Sequence, residues 1–435
     1  MKVMKVRFSF HILFCFVVGM LVWQPVKAQF LVDMIDTTST VEKGLWAIYR
    51  ENDHLQISGY FQPQFQVAQS KGAKNYSGGD FSDFSDNRFM IRRARIRFDY
   101  EHFSKDGLPQ AQVVFQVNGS ERGVVIRDFW ARVYENKWQL FSFTTGMFAR
   151  PFGYEVNMSS SDRESPERGR MSQILMRSER DLGAMVSLEP RKKNSPLRWL
   201  KVDAGIFNGQ GLTAKEEYDS YKDIIGRISV KPIKITPSIS VTGGASIFQG
   251  GMLQNTKDIY RMEDKQFIVD SSQQNVGTRV PRRYRGVDAQ VTFDNPWGKT
   301  QLRSEYWWGT QTASAFESNT PGVVLAEPSY IRQFNGAFFY LVQDVVNEKH
   351  QVVLRYDFYD PNRLVDGTQI GKLNSNTHEG DVRFNTFSAG YLHYFNEHMK
   401  LMLWYDFIKN EHTSLNGYTT DRKDNIFTCR IQFEF

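Results

Sequence analysis

The sequence predicts an all-β protein: a transmembrane up-and-down antiparallel β-barrel of about sixteen strands, with long outer loops and short periplasmic turns. Three observations lead there. Runs of alternating apolar and polar residues recur along most of the chain. The connections between them alternate between short and long. Aromatic residues make up 14% of the chain, with 34 Phe and 19 Tyr, yet mean hydropathy is negative. That combination arises when only every second residue of a strand meets lipid.

The chain opens with Lys2, Lys5 and Arg7, then the apolar run FSFHILFCFVVGMLVW, then Val26, Lys27 and Ala28. A basic start, an apolar core and a small residue at the cut describe a secretory signal peptide over 1–28. Gln29 follows the cut, so no lipoprotein cysteine is present there. Residues 29–53 read as a short N-terminal periplasmic segment, with LWAIYREN as a brief helix. The barrel is expected over 54–435. Without the signal, Lys+Arg fall from 54 to 50 against 48 Asp+Glu, so the basic character of the whole chain belongs largely to the leader. Near-neutrality removes the electrostatic footprint of a nucleic-acid binder. Cys15 leaves with the signal and Cys429 stands alone, which excludes an internal disulfide.

The predicted strands are His54–Ala68, Arg88–Phe103, Pro109–Asn118, Val124–Glu135, Trp138–Ala149, Arg180–Glu189, Leu197–Asn208 and Asp223–Ile235. They continue as Ser238–Gln249, Arg283–Asp294, Thr300–Gln311, Tyr330–Val345, His350–Asp360, Phe384–Asn396, Leu401–Asn410 and Asn425–Phe435. Short turns include SKDG before Pro109, Asn136–Lys137, Thr236–Pro237, NPWGK after Asp294 and NEK before His350. Long polar loops are Gln69–Asn87, Arg150–Glu179, Gly250–Arg282, Thr312–Ser329 and Pro361–Arg383.

Facing follows from the period of two. Val352, Leu354, Tyr356 and Phe358 oppose Arg355, Asp357 and Tyr359. Leu401, Leu403, Tyr405 and Phe407 oppose Met402, Trp404 and Asp406. Phe427, Cys429, Ile431, Phe433 and Phe435 oppose Thr428, Arg430, Gln432 and Glu434. The runs near Trp138 and Phe384 alternate poorly and give no clear facing. Tyr356 with Phe358, and Tyr405 with Phe407, fit interfacial girdles.

One stretch carries an electrostatic argument. In RFMIRRARIRFDY, Arg93, Arg95, Arg97 and Asp99 share a face, while Ala94, Ile96, Phe98 and Tyr100 share the other. A lipid-facing arginine at the bilayer midplane costs roughly 2–4 kcal/mol, so the arginines turn inward, into the aqueous lumen that a barrel of this size encloses. Inward candidates are Arg92, Arg93, Arg95, Arg97, Arg132, Lys201, Arg227, Arg303, Arg355 and Arg430. Asp99, Asp128, Asp203, Asp288, Glu305, Asp357 and Asp406 face inward with them, so the lumen is mixed. Basic rings along a channel favour anions; solvated wall charge is the blander alternative for any one of them.

The connection Arg150–Glu179 holds Arg150, Arg163, Arg168, Arg170 and Arg177 together with several carboxylates. Folded inward, a loop of this length constricts the channel. VPRRYR places Arg282, Arg283 and Arg285 at an outer vestibule. No nucleophile elbow, dinucleotide fingerprint, phosphate loop or zinc motif is present. No enzyme, cofactor or metal site is therefore expected.

RRARIRFDYE, GMFARPFGYE, ERDLGAMVS and GIFNGQG together resemble the phosphate-selective porin O and P family, across roughly His54 to Phe435. The terminal Phe435 resembles the assembly signal of outer-membrane barrels. The resemblance implies a homotrimeric sixteen-strand porin in the outer membrane of a Gram-negative bacterium. It also implies a constricting third loop beginning at Arg150 and an arginine-lined path around Arg92, Arg93, Arg95 and Arg97. The expected function is passive diffusion of small anions, phosphate possible among them, through a lipid-embedded barrel. A non-selective general porin and a plugged structural or secretion-associated barrel are the alternatives.

Overall fold

The computed structural model describes residues 54–212 and 216–435. The expected signal peptide and the segment 29–53 with its expected helix lie outside the described residues.

Each alternating run forms a strand, and the strands pair with their chain neighbours. The first half holds β1 (Leu55–Ala68), β2 (Asn87–Phe103), β3 (Pro109–Ser120), β4 (Gly123–Tyr134), β5 (Phe141–Ala149), β6 (Arg180–Leu188), β7 (Leu200–Phe207), β8 (Asp223–Thr236) and β9 (Ile239–Leu253). Next come the short β10 (Asp258–Glu263) and β11 (Gln266–Ser271). The rest are β12 (Arg279–Asn295), β13 (Gly298–Ala313), β14 (Ser329–Val345), β15 (Asn347–Asp360), β16 (Phe384–Asn396), β17 (Met399–Asn410) and β18 (Ile426–Glu434). Leaving out β10 and β11, the strands form a closed antiparallel barrel of sixteen staves. All sixteen predicted runs are staves.

The barrel closes by pairing β1 with β18, Phe61 opposite Phe433 and Ala68 opposite Ile426. At the end of that seam Gly59 and Phe435 exchange two backbone hydrogen bonds of 3.0 Å. The Phe435 ring lies where a Cβ on Gly59 would stand, 2.6 Å from it. Closure leaves no barrel edge, which is what lets strands cross a bilayer with every backbone group paired. None of the described helices is long and apolar enough to cross a membrane. The outer wall exposes alternate apolar side chains, among them Ile247, Leu302, Phe339, Leu354, Phe387, Phe407 and Phe433. This is the lipid-facing surface of a transmembrane barrel.

The structure departs from the sequence expectations in two places here and settles a facing that the sequence left open. The loop Gly250–Arg282 is not structureless: β9 and β12 extend into it, and β10 and β11 form a hairpin there. Asp264 and Lys265 turn the hairpin with φ of 45° and 67°, and β10 adds in parallel to the outer end of β14, Tyr260 opposite Tyr330. Second, Trp138 belongs to the turn before β5, where Gln139 takes φ 58°. The facing settled is that of β16: Thr386, Ser388 and Leu392 point inward, Phe387 outward.

Candidate functional site: the occupied lumen

The connection after β5 does fold into the barrel. Arg150 N donates to Glu179 O at 3.0 Å and closes the mouth of the loop. Most of its residues between Arg150 and Met176 are buried. The RPFG turn explains its own sequence. Gly153 takes φ +71°, and a Cβ there would strike Glu305 Oε1 and come within 2.7 Å of Trp307. That close approach lets Glu305 accept from Tyr154 N at 2.8 Å, Glu155 N at 3.0 Å and Trp307 Nε1 at 2.6 Å. Phe152 inserts edge-on against Trp307, 4.7 Å between ring centroids.

Farther along, a short helix α1 (Arg170–Leu175) packs Met171, Ile174 and Leu175 into an apolar cluster with Phe152 of the same loop and Tyr284, Trp307, Phe334 and Trp404 from the wall. Glu155 ties the two ends of this inner segment together, accepting from Gly169 N at 3.0 Å and from the Ser172 hydroxyl. One part of the lumen is thus a second, loop-built core.

The charged middle of the loop meets the arginines. Glu167 accepts from Arg92 Nε at 2.7 Å, Arg93 Nη2 at 2.6 Å and Arg430 Nη2 at 3.1 Å. Burial alone would raise its carboxyl, but the three guanidiniums outweigh that and hold it well below the usual carboxylate range. Glu164 takes both ends of Arg303, at 2.7 and 2.8 Å. Arg355 reaches Asp357, Asp406 and the Glu167 carbonyl. Of the remaining wall arginines, Arg97 pairs with Asp99 at 2.5 Å and Arg227 with Asp288 at 2.7 Å. Arg132 donates to Thr144 at 2.8 Å and lies over Trp130. Lys201 sits between Glu189 and Asp203.

Arg95 is different. Its hydrogen bonds go to neutral oxygens only: Tyr60 Oη, Ser160 Oγ and Asn118 Oδ1. Above it lies a cavity of about 560 Å³ whose lining carries ten Lys and Arg against six Asp and Glu. Arg163, Arg168 and Arg170 from the loop line it, and each has a buried N–H group without a hydrogen-bond partner in the described structure. Burial, then repulsion from Arg93, lowers Arg163 to about 10, which still leaves it charged at neutral pH. Arg170 also stacks on Phe384, 3.9 Å from the ring centre. Arg150 lies deeper, donating to the Ser178 carbonyl, and Arg177 is exposed at the loop's exit.

The vestibule expectation needs correcting. Arg282 points inward and pairs with Asp223 at 3.0 Å. Arg283 and Arg285 do not line a vestibule: they are exposed, and Arg285 shares the lipid side of β12 with Val287. β12 starts at Arg279, four residues before its predicted start at Arg283, so the period of two governs VPRRYR as well. Sequence reasoning also missed Arg127. It is the extra residue of a bulge, where Gln116 pairs with Asp128 and Val117 with Ile126. The bulge re-aims Arg127 into the cavity, where it binds Glu179 at 2.5 Å. A broken period hides such a residue from alternation counting.

No protein-family model and no curated protein matches the chain. Solved structures do. The outer membrane channel DcaP of Acinetobacter baumannii is similar at TM-score 0.52 and 14% identity, over 88% of this chain and 97% of that one. OmpT of Vibrio cholerae, in a trimer form, gives TM-score 0.48 and 8% identity over 88% and 99%. A mutant of the Rh. blastica porin gives TM-score 0.45 and 9% identity over 88% and 100%. At such identities the likeness is one of fold, and the fold is the sixteen-strand outer-membrane barrel of porins.

Proposed function

We propose that the barrel is a passive channel for small anions, phosphate among them, and that it performs no catalysis. The observation carrying this reading is the cavity between loop and wall. Its basic excess and its unpartnered guanidinium N–H groups offer bidentate donors to an oxyanion, and water fills the rest. A solute passing there exchanges hydration for arginine contacts, and the neighbouring carboxylates keep the hold weak enough for release. Homotrimeric assembly belongs to the same proposal and rests on the resemblance to the porin O and P family.

Planar-bilayer recording of the mature protein in a chloride gradient tests it, with inorganic phosphate added afterwards. The reading expects stable conductance, an anion-favouring reversal potential and reduced chloride current on phosphate addition. A cation-favouring potential overturns it. One observation favours a second reading, a plugged barrel: the loop-built core around Phe152, Met171 and Trp307 occupies much of the lumen. That reading expects no conductance.

A further inference from the structure

Arg283 and Arg285 are stranded by the function above. They are charged, exposed and on the lipid side of the wall, where an arginine is tolerated only near the membrane surface. Their depth is fixed by register. Arg285 stands opposite Trp308, and Val287 opposite Tyr306. Tyr306 and Trp308 stack at 5.5 Å on the outer face of β13, and Asn335 of β14 donates to the Tyr306 hydroxyl at 3.3 Å. Stacked Tyr and Trp capped by a polar amide mark the level where hydrocarbon gives way to headgroups. Below it β12 turns Ala289, Val291 and Phe293 to lipid; Arg285 stands at the level of Trp308, and Arg283 beyond it. Neither guanidinium makes a hydrogen bond or an ion pair with any described residue, whereas the lumenal wall arginines, such as Arg93, Arg227, Arg303 and Arg355, are paired. Cations placed at headgroup height without a protein carboxylate call for an anion supplied by the membrane.

We propose that Arg283 and Arg285, framed by Trp308 and Tyr306, form a binding site for the phosphate group of an anionic lipid in the outer leaflet. Two adjacent guanidiniums on one strand face grip a phosphate bidentately, and the aromatic pair below packs on the lipid's glycerol or sugar and upper acyl chain. The site is independent of what the lumen conducts.

The test is native mass spectrometry of the intact mature barrel in non-ionic detergent, titrated with lipid A and with its fully dephosphorylated counterpart. The site predicts at least tenfold tighter retention of the phosphorylated lipid. R283Q/R285Q removes most of that preference and R283K/R285K keeps part of it. Heat-modifiable electrophoretic mobility confirms that each variant is a closed barrel. Equal retention of the two lipids by the native protein overturns the proposal, as does an undiminished preference in R283Q/R285Q. Millimolar inorganic phosphate should not displace the lipid; if it does, the site is one for free phosphate and the lipid assignment fails. A changed oligomeric state in R283Q/R285Q marks the patch as a subunit contact and also overturns it.

Discussion

At the residue scale, Glu167 decides how much of the arginine strand's charge reaches the lumen. Three guanidiniums converge on its two oxygens, so one of their three charges is offset where the sequence alone suggested that all were free. Glu167→Gln leaves Arg92, Arg93 and Arg430 with one fewer negative charge. The chloride-to-potassium permeability ratio in planar bilayers should rise by about twofold or more; an unchanged ratio refutes a role for this cluster in selectivity. Removing one partner of a buried pair also destabilises, by roughly 3–5 kcal/mol, so a fall in unfolding temperature should accompany the shift. The pH dependence follows from the same geometry. A carboxyl held well below its ordinary value contributes stability above the unfolded value and loses it as pH falls through the depressed folded one. Single-channel conductance should therefore stay level from neutral pH down through the ordinary carboxylate range. A step between pH 5 and 4 would show that Glu167 is not held as described. Gly153 makes the complementary case. A left-handed φ costs a non-glycine residue roughly 1–2 kcal/mol, and the Cβ of Gly153→Ala would strike Glu305 and Trp307. The loop should lose its anchor, seen as noisier current and a lower unfolding temperature than the native barrel.

At the element scale, what could be read from the sequence depended on how far each element relies on strand periodicity. The sixteen staves were legible because one face must meet lipid and the other water, a constraint that leaves a mark on every second residue. The hairpin of β10 and β11 sits above the membrane and carries no such mark. Its turn, Asp264–Lys265, lacks the Asn-Gly that usually advertises two residues at positive φ. This yields a prediction. D264N/K265G supplies the residues that the backbone already requires, and should stabilise the hairpin by up to about 1 kcal/mol. Slower amide hydrogen exchange across Ile259–Phe267 is the measurement. Unchanged or faster exchange means the turn is not of that type. The third loop was legible as an inward constriction from its length and charge. The acids that hold it were not, because Glu164 and Glu167 find Arg303 and Arg93 across more than seventy residues of sequence. Arg127 was lost to a bulge and Arg283 and Arg285 to a strand that runs longer than its predicted start.

At the scale of the whole molecule, everything depends on the seam between first and last strands. A barrel has no edge only while that seam holds, and the loop's contacts straddle it: Glu167 draws on Arg92 and Arg93 of β2 and on Arg430 of β18, while Gln62 of β1 donates to Gln432 at 2.7 Å. Lumen and closure are therefore coupled, and a change at the seam should be felt at the constriction. Phe435 is the place to apply it. Its backbone makes the last two seam bonds with Gly59, and its ring fills the space above that glycine. Deleting Phe435 removes both bonds and the ring contact. Gly59→Val instead keeps the bonds available but drives side-chain atoms into the ring and into the Arg95 carbonyl. Both variants should show a lower temperature for loss of the compact, heat-modifiable form in SDS electrophoresis, and those barrels that close should conduct with more current noise than the native protein. If truncation lowers only the yield of membrane-inserted protein, while inserted barrels melt and conduct like the native one, then Phe435 acts in assembly alone. In that case the seam is held by the pairs from Phe61 to Ala68 without it.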